Sequence, residues 1–291
     1  LCRHLERAAG ARIQIAVGLR RHVAPVELVC HVVDAGAPLC YVAVDEVRNL
    51  VYGANYHKGE VLVYKRAADG ALTLADKDVH TGSGPHENQA SPHVHFTDLT
   101  PDKYLVSCDL GTDEVVTYDV SDQGQLTKVN TYKSAPGAGP RHITFHPTQK
   151  IAYLMNELNS TVEVLIYDGV GQFTLLQTIS TLPEDWTDFN GTAAIRVSTD
   201  GKFLYGSNRG HDSIAVFKIL ADGTLELSQL AATHGKMPRD FNLSSDEKIV
   251  IAAHQDSDNV TTFFRDATTG LLSKIQHDFI VPEAVCVYVK A

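Results

Sequence analysis

Five stretches of this chain repeat one plan. They begin Leu39-Cys40-Tyr41, His93-Val94-His95, Pro140-Arg141-His142, Thr192-Ala193-Ala194 and Pro238-Arg239-Asp240, and each runs on for about forty residues. The second shows the pattern plainly. His93 to Leu99 is a short apolar/polar run, and Thr100-Pro101-Asp102 is a turn, because Pro fixes φ and Asp can bond its own backbone. Tyr104 to Asp109 is rich in β-formers, Glu114 to Tyr118 alternates at strand period, Ser121-Asp122-Gln123-Gly124 turns again, and Leu126 to Tyr132 completes a fourth strand. The turn anchors Asp45, Asp102, Thr148, Asp200 and Asp246 stand 46 to 57 residues apart, near the period of propeller blades. No long helical spacing separates the repeats, which excludes a βαβ plan. Four-stranded antiparallel units in series pack radially and hide most of their edges, so the expected fold is all-β, a β-propeller. Val281 to Tyr288 resembles the first strand of a repeat and is expected as a closing strand that takes partners from the N-terminal end.

Residues 1–30 stand apart from the plan. Arg3, Arg7, Arg12, Arg20 and Arg21 crowd this segment, whereas the first lysine is Lys58. The segment is expected to be disordered or foreign to the fold, with 31–291 forming a single propeller domain. The formal charge of the whole chain is −10, and this with the lack of a basic run after residue 30 removes the electrostatic footprint of nucleic-acid binding. No apolar run reaches transmembrane length. Five cysteines without a C-x-x-C pair argue against a disulfide framework or a zinc site. The composition therefore points to a cytoplasmic protein with reduced thiols and without metal or cofactor, in which Cys108 is a core residue.

Repeats supply a frame in which departures become visible. His95, Arg141 and Arg239 occupy one position in the first strands of three repeats. First strands line the channel of a propeller, so these cations are expected near one of its mouths. Surface-like charge in a wet channel would explain any one of them. Several cations confined together in an acidic protein instead suggest an anionic ligand. A second set falls at the connections between second and third strands. Asp113, Asp212 and Asp258 recur at one offset and read as turn chemistry, while Glu157 and Arg209 differ from their counterparts and read as site residues. A carboxylate held among cations can stay ionised and orient a water or a substrate hydroxyl.

These residues carry a resemblance. His95 six residues before Pro101, Gly139-Pro140-Arg141-His142, Asn156-Glu157-Leu158, the run Leu204 to Ile214 around Arg209, and Pro238-Arg239-Asp240-Phe241 together resemble the seven-bladed propeller lactonases, the 6-phosphogluconolactonase family that also holds the fungal carboxymuconate lactonizing enzymes. The likeness covers about residues 31–291. It implies a catalytic set of His95, Arg141, Glu157 and Arg209, with Arg239 and His142 as further substrate contacts.

The resemblance implies hydrolysis of 6-phosphogluconolactone to 6-phosphogluconate, a step of the pentose phosphate pathway, on a small anionic substrate. A δ-lactone is already reactive, so a positioned water can suffice, and the chain has no G-x-S-x-G elbow. His95 or Glu157 would be the general base, and the arginines would hold the anion or the forming oxyanion. Two alternatives stand beside this: a cycloisomerase closing a carboxymuconate to its lactone on the same cations, and a propeller used only as a binding scaffold.

Overall fold

Each repeat folds into one sheet because its four short β-rich runs are joined by tight turns that pair sequence neighbours. The computed structural model describes residues 13–15, 30–32 and 37–289. A two-stranded antiparallel sheet pairs β1 (Ile13–Ile15) with β2 (Cys30–Val32). The rest of the segment 1–30 lies outside the described residues.

Five four-stranded antiparallel sheets follow, each with its strands in sequence order. The first holds β3 (Tyr41–Asp45), β4 (Leu50–Asn55), β5 (Glu60–Arg66) and β6 (Leu72–Val79), and the second β7 (Val94–Leu99), β8 (Leu105–Asp109), β9 (Glu114–Val120) and β10 (Leu126–Lys133). The third holds β11 (Pro140–Phe145), β12 (Ile151–Asn156), β13 (Thr161–Tyr167) and β14 (Phe173–Ser180), and the fourth β15 (Gly191–Val197), β16 (Phe203–Arg209), β17 (Ser213–Ile219) and β18 (Leu225–Ala232). The fifth holds β19 (Pro238–Leu243), β20 (Ile249–His254), β21 (Asn259–Arg265) and β22 (Leu272–Ile280). Apart from the 3-10 turn Glu87–Gln89, no helix occurs among the described residues, and none is long and apolar enough to cross a membrane. The β-propeller expected from the repeats is the fold.

The chain divides into two compact units, one within Arg3–Lys133 and the other within Ser134–Ala291. In the first, Leu50, Tyr52, Val61 and Val63 pack against Leu105, Val116 and Tyr118 of the next sheet. In the second, Tyr153, Met155 and Val164 meet Leu204 and Phe217, and Phe203, Tyr205 and Val216 meet Phe241 and Phe263. Sheets thus bury apolar residues on both faces, which is why β4, β12 and β16 are buried along their whole length although sheets with one wet face alternate. Each fully buried Leu or Phe is worth about 1.5–3 kcal/mol. Cys108 is buried, as expected, and burial pushes its thiol up.

Three polar positions recur and set the register. The first turn is capped by Asp45, Thr100, His146, Ser198 and Ser244, whose side chains accept backbone N–H bonds from residues two to five further on. In the last four repeats this capping position lies two residues before the anchor that spacing picks out. The turn from second to third strand places Gly59, Asp113, Ser160, Asp212 and Asp258 at φ of 53–62°. That left-handed conformation favours Gly and Asp and supports the reading of those aspartates as turn residues.

The third position, just after the fourth strand, ties one sheet to the next. His80 Nδ1 lies 2.7 Å from Asp109 Oδ2 and its Nε2 2.7 Å from the Tyr118 hydroxyl, which donates to Asp78. At this position Thr181 donates to Asn208 of the fourth sheet, and within the second unit Ser134 donates to Glu163.

One expectation fails. Val281 to Tyr288 is not a strand: it turns at Pro282-Glu283 and has no ladder partner among the described residues. It is held instead by side chains of β19, since the Val287 N–H donates to Asp240 Oδ2 and Asn242 Nδ2 donates to the Val287 carbonyl.

His80→Ala removes the imidazole from the buried Asp109 Oδ2 and the Tyr118 hydroxyl, while Asp109 Oδ1 keeps the N–H groups of His93 and Gly111 and the hydroxyl keeps Asp78. The expected loss of stability is about 2–3 kcal/mol, read as a lower urea midpoint at unchanged slope.

Candidate active site

The cationic residues singled out by the repeats share a backbone feature. The β7–β8 register slips between Val94 and Phe96, leaving His95 out of the ladder. The β11–β12 register slips between Pro140 and His142, leaving out Arg141, and β19–β20 slips between Pro238 and Asp240, leaving out Arg239. Such bulges bend a strand and re-aim the extra residue. In the fourth repeat the slip lies between Thr192 and Ile195, and in the first repeat β3 pairs with β4 without one.

Glu157 directly follows β12, and Arg209 is the last residue of β16, so each stands at the same end of its sheet as a first-strand bulge. The two connect neighbouring sheets. Glu157 Oε1 is 2.8 Å from Arg209 Nη2, and Glu157 Oε2 is 2.8 Å from Arg141 Nε. The guanidiniums also take backbone carbonyls of the fourth sheet: Arg141 Nη1 donates to Ala193 at 2.6 Å, and Arg209 donates through Nε to Gly191 at 3.1 Å and through Nη2 to Thr192 at 2.9 Å. Backbone bonds fix Glu157 itself, whose N–H donates to Gly139 while its carbonyl accepts from Thr192. The arginine side chains are 3% and 9% exposed against 22% for Glu157, so the carboxylate is the wetter member.

Burial by itself would push the Glu157 carboxyl up. The charges of Arg209 and Arg141, the Arg209 hydrogen bond and the more distant charge of Arg239 outweigh it and hold the group below the ordinary carboxylate range. Glu157 is therefore ionised at neutral pH and is a weak proton acceptor. Two guanidiniums pair with one carboxylate and the charge of a third reaches it, which leaves the group positive inside a chain of net charge −10.

Arg239 Nη1 donates to Gln255 Oε1 at 3.2 Å. His142 Nε2 lies 3.3 Å from Arg141 Nη1. His95 belongs to the first unit, where it is buried with the Tyr56 ring edge-on at 5.8 Å. The structure thus brings Arg141, Glu157 and Arg209 into contact, with Arg239 and His142 beside them, and gives His95 the equivalent place in its own sheet. The carbonyls of Gly191, Thr192 and Ala193 were not foreseen, because a sequence displays side chains and not the direction of a bulged backbone. A hint lay in Gly191, where an added Cβ would stand 3.2 Å from Arg209 Nη2. Among the described residues no three His, Cys, Asp or Glu side chains gather as a metal site would need.

Fold and cluster together define a class, that of β-propellers with a buried Arg–Glu–Arg cluster at one end of two neighbouring sheets. Within that class the chain belongs to the seven-bladed lactonase family: the family model described as "Lactonase, 7-bladed beta-propeller" matches residues 16–289. The chain is 60% identical over 259 residues to an uncharacterized protein of Lactococcus lactis subsp. cremoris (strain MG1363), covering 88% of this chain and 76% of that one. It is 40% identical over 287 residues to the 6-phosphogluconolactonase of Bacillus subtilis (strain 168), covering 97% and 82%. The solved structure of the Pseudomonas aeruginosa periplasmic gluconolactonase PpgL superposes with a TM-score of 0.83 at 30% identity, over 88% of this chain and 74% of that one.

The lowered carboxyl gives a pH test. Ionised Glu157 contributes stability that is complete above the ordinary Glu value of 4.5 and is lost as pH falls through its lower folded value. Glu157→Gln is expected to be less stable than wild type at pH 7, by about 1–3 kcal/mol for a partly wet pair. The gap should narrow in urea titrations carried down to pH 3.

Proposed function

We propose that the chain hydrolyses the lactone of a phosphorylated sugar acid, 6-phosphogluconolactone to 6-phosphogluconate. The observation that carries the proposal is the gathering of Arg141, Arg209 and Arg239 against the single carboxylate of Glu157. A cluster with surplus positive charge favours a substrate with a phosphate and a transition state with an oxyanion. The relative named 6-phosphogluconolactonase weighs for hydrolysis over the cycloisomerase alternative, which would draw on the same arginines.

In this reading water adds to the lactone carbonyl carbon, and the carbonyl oxygen takes the negative charge beside the guanidiniums. The intermediate collapses by breaking the ring C–O bond. One proton of the water ends on the released hydroxyl, and the acid formed gives the other to solvent, leaving an open carboxylate. Glu157 suits this base role poorly, since both its oxygens are engaged and its proton affinity is lowered. We assign it the positioning of the arginines. His95 is then the proposed base, an assignment that rests on its repeat position and on the family resemblance. His142 and Arg239 are proposed as further contacts to the substrate anion. Because its charge keeps a sugar phosphate from crossing membranes, the reading carries a cytoplasmic setting with it.

Lactone opening followed in a pH-stat, corrected for the spontaneous reaction, tests the proposal. Arg141→Met and Arg209→Met should each lower kcat/KM by about 10²–10³-fold. His95→Ala should lower kcat by about 10²–10⁴-fold, the usual worth of a general base. A wild type that accelerates no lactone defeats the function, and full activity in both His95→Ala and Glu157→Gln defeats the residue roles.

A further inference from the structure

The connection from β14 to β15 is ten residues long, 181–190, where the equivalent connection from β18 to β19 has five, 233–237. The extra length carries Trp186, the single tryptophan of the chain, and Phe189. It is firmly held. Asn190 Nδ2 donates to Ser160 Oγ at 2.8 Å and to Asn208 Oδ1 at 3.2 Å, and the His211 N–H donates back to Asn190 Oδ1. The Trp186 ring stands edge-on to His211, 4.6 Å between centroids. Gly210, at φ +119°, lies so close beneath the loop that a Cβ there would meet the Phe189 carbonyl at 2.2 Å, so glycine is what lets the loop seat.

Phe189 is nevertheless 70% exposed. Its Cζ, Arg209 Nη2 and Glu157 Cγ converge on one point, the place of an absent Gly191 Cβ, at 3.7, 3.2 and 3.6 Å. An aromatic ring is thus fixed through its backbone, left largely open to water, and set at the edge of the arginine cluster. Exposure of a Phe costs hydrophobic free energy unless a ligand covers it. The charged groups beside it can hold an anion but offer nothing to the C–H face of a sugar ring.

We propose that Phe189 is a specificity-determining residue of this site, a platform for the C–H groups of a sugar acid, ring or open chain, whose anionic group the arginines hold. The inference rests on the lactonase reading and deepens it: the preferred ligand is a cyclic or chain sugar acid with an anionic substituent, rather than a bare anion. Gly191 belongs to the same arrangement, because a side chain there would fill the gap between the platform and the guanidinium.

The test pairs kinetics with calorimetry. With 6-phosphogluconolactone as substrate, Phe189→Ala should raise KM by about three- to tenfold with kcat within about twofold, and Phe189→Tyr should restore KM. In titration calorimetry the same Ala variant should bind 6-phosphogluconate more weakly by a similar factor and inorganic phosphate as wild type does. Since the ring is exposed, the thermal midpoint should not move. Unchanged KM with turnover intact overturns the platform and leaves the lactonase reading standing, and so does a parallel loss of phosphate affinity. If the wild type opens no lactone yet binds 6-phosphogluconate through Phe189, the lactonase reading falls and the platform stands. A wild type that binds neither ligand overturns both.

Discussion

The candidate site depends on one carboxylate shared by two guanidiniums. Arg141 and Arg209 come from adjacent sheets and would repel each other if brought together unbalanced. Glu157 lies 2.8 Å from each and accepts from Arg209, and the carbonyls of Gly191, Thr192 and Ala193 take further N–H groups. Desolvating such a group of charges is costly, and only close pairing with satisfied hydrogen bonds makes it tolerable. The same pairing decides the carboxylate's chemistry. A group stabilised in its ionised form by two neighbouring cations holds a proton weakly, so the feature that assembles the arginines also argues against Glu157 as the base.

Regularity makes this irregular spot possible. Buried strands, capped first turns and left-handed second turns recur with different residues serving the same purpose, as with Gly59, Asp113, Ser160, Asp212 and Asp258. On that frame a bulge at the start of a first strand changes what is presented without disturbing the sheet behind it. His95, Arg141 and Arg239 are each the residue left over by such a slip.

The repeats made the blades and the shared position of these three residues legible, because both are matters of alignment within one chain. They also marked Glu157 and Arg209 as departures, though not as partners, since pairing between sheets depends on which turns face each other. What stayed hidden was of two kinds. The carbonyls around Ala193 and the setting of Phe189 are backbone geometry, which residue identities encode faintly. The final segment Val281 to Tyr288 has the composition of a strand, but the ladder it needs is replaced by two side chains of β19, Asp240 and Asn242. A β-rich run specifies a strand only where a neighbouring edge is available to pair with it.

On the lactonase reading, the charge balance bears on turnover as well as binding. Opening a lactone adds a carboxylate, so the product is more negative than the substrate and is attracted more strongly to any cluster of cations. Arg141, Arg209 and Arg239 unrelieved would bind the product best and release it slowly. Glu157 removes one positive charge from that sum and pairs at close range with two of the guanidiniums, which weakens their grip on a second anionic group. An oxyanion forming on a carbonyl already seated there still meets fixed donors, because orientation, unlike total charge, is undiminished by the pairing. Glu157 thus trades general attraction for directed stabilisation, which suits a reaction whose product must leave carrying more charge than the substrate that entered.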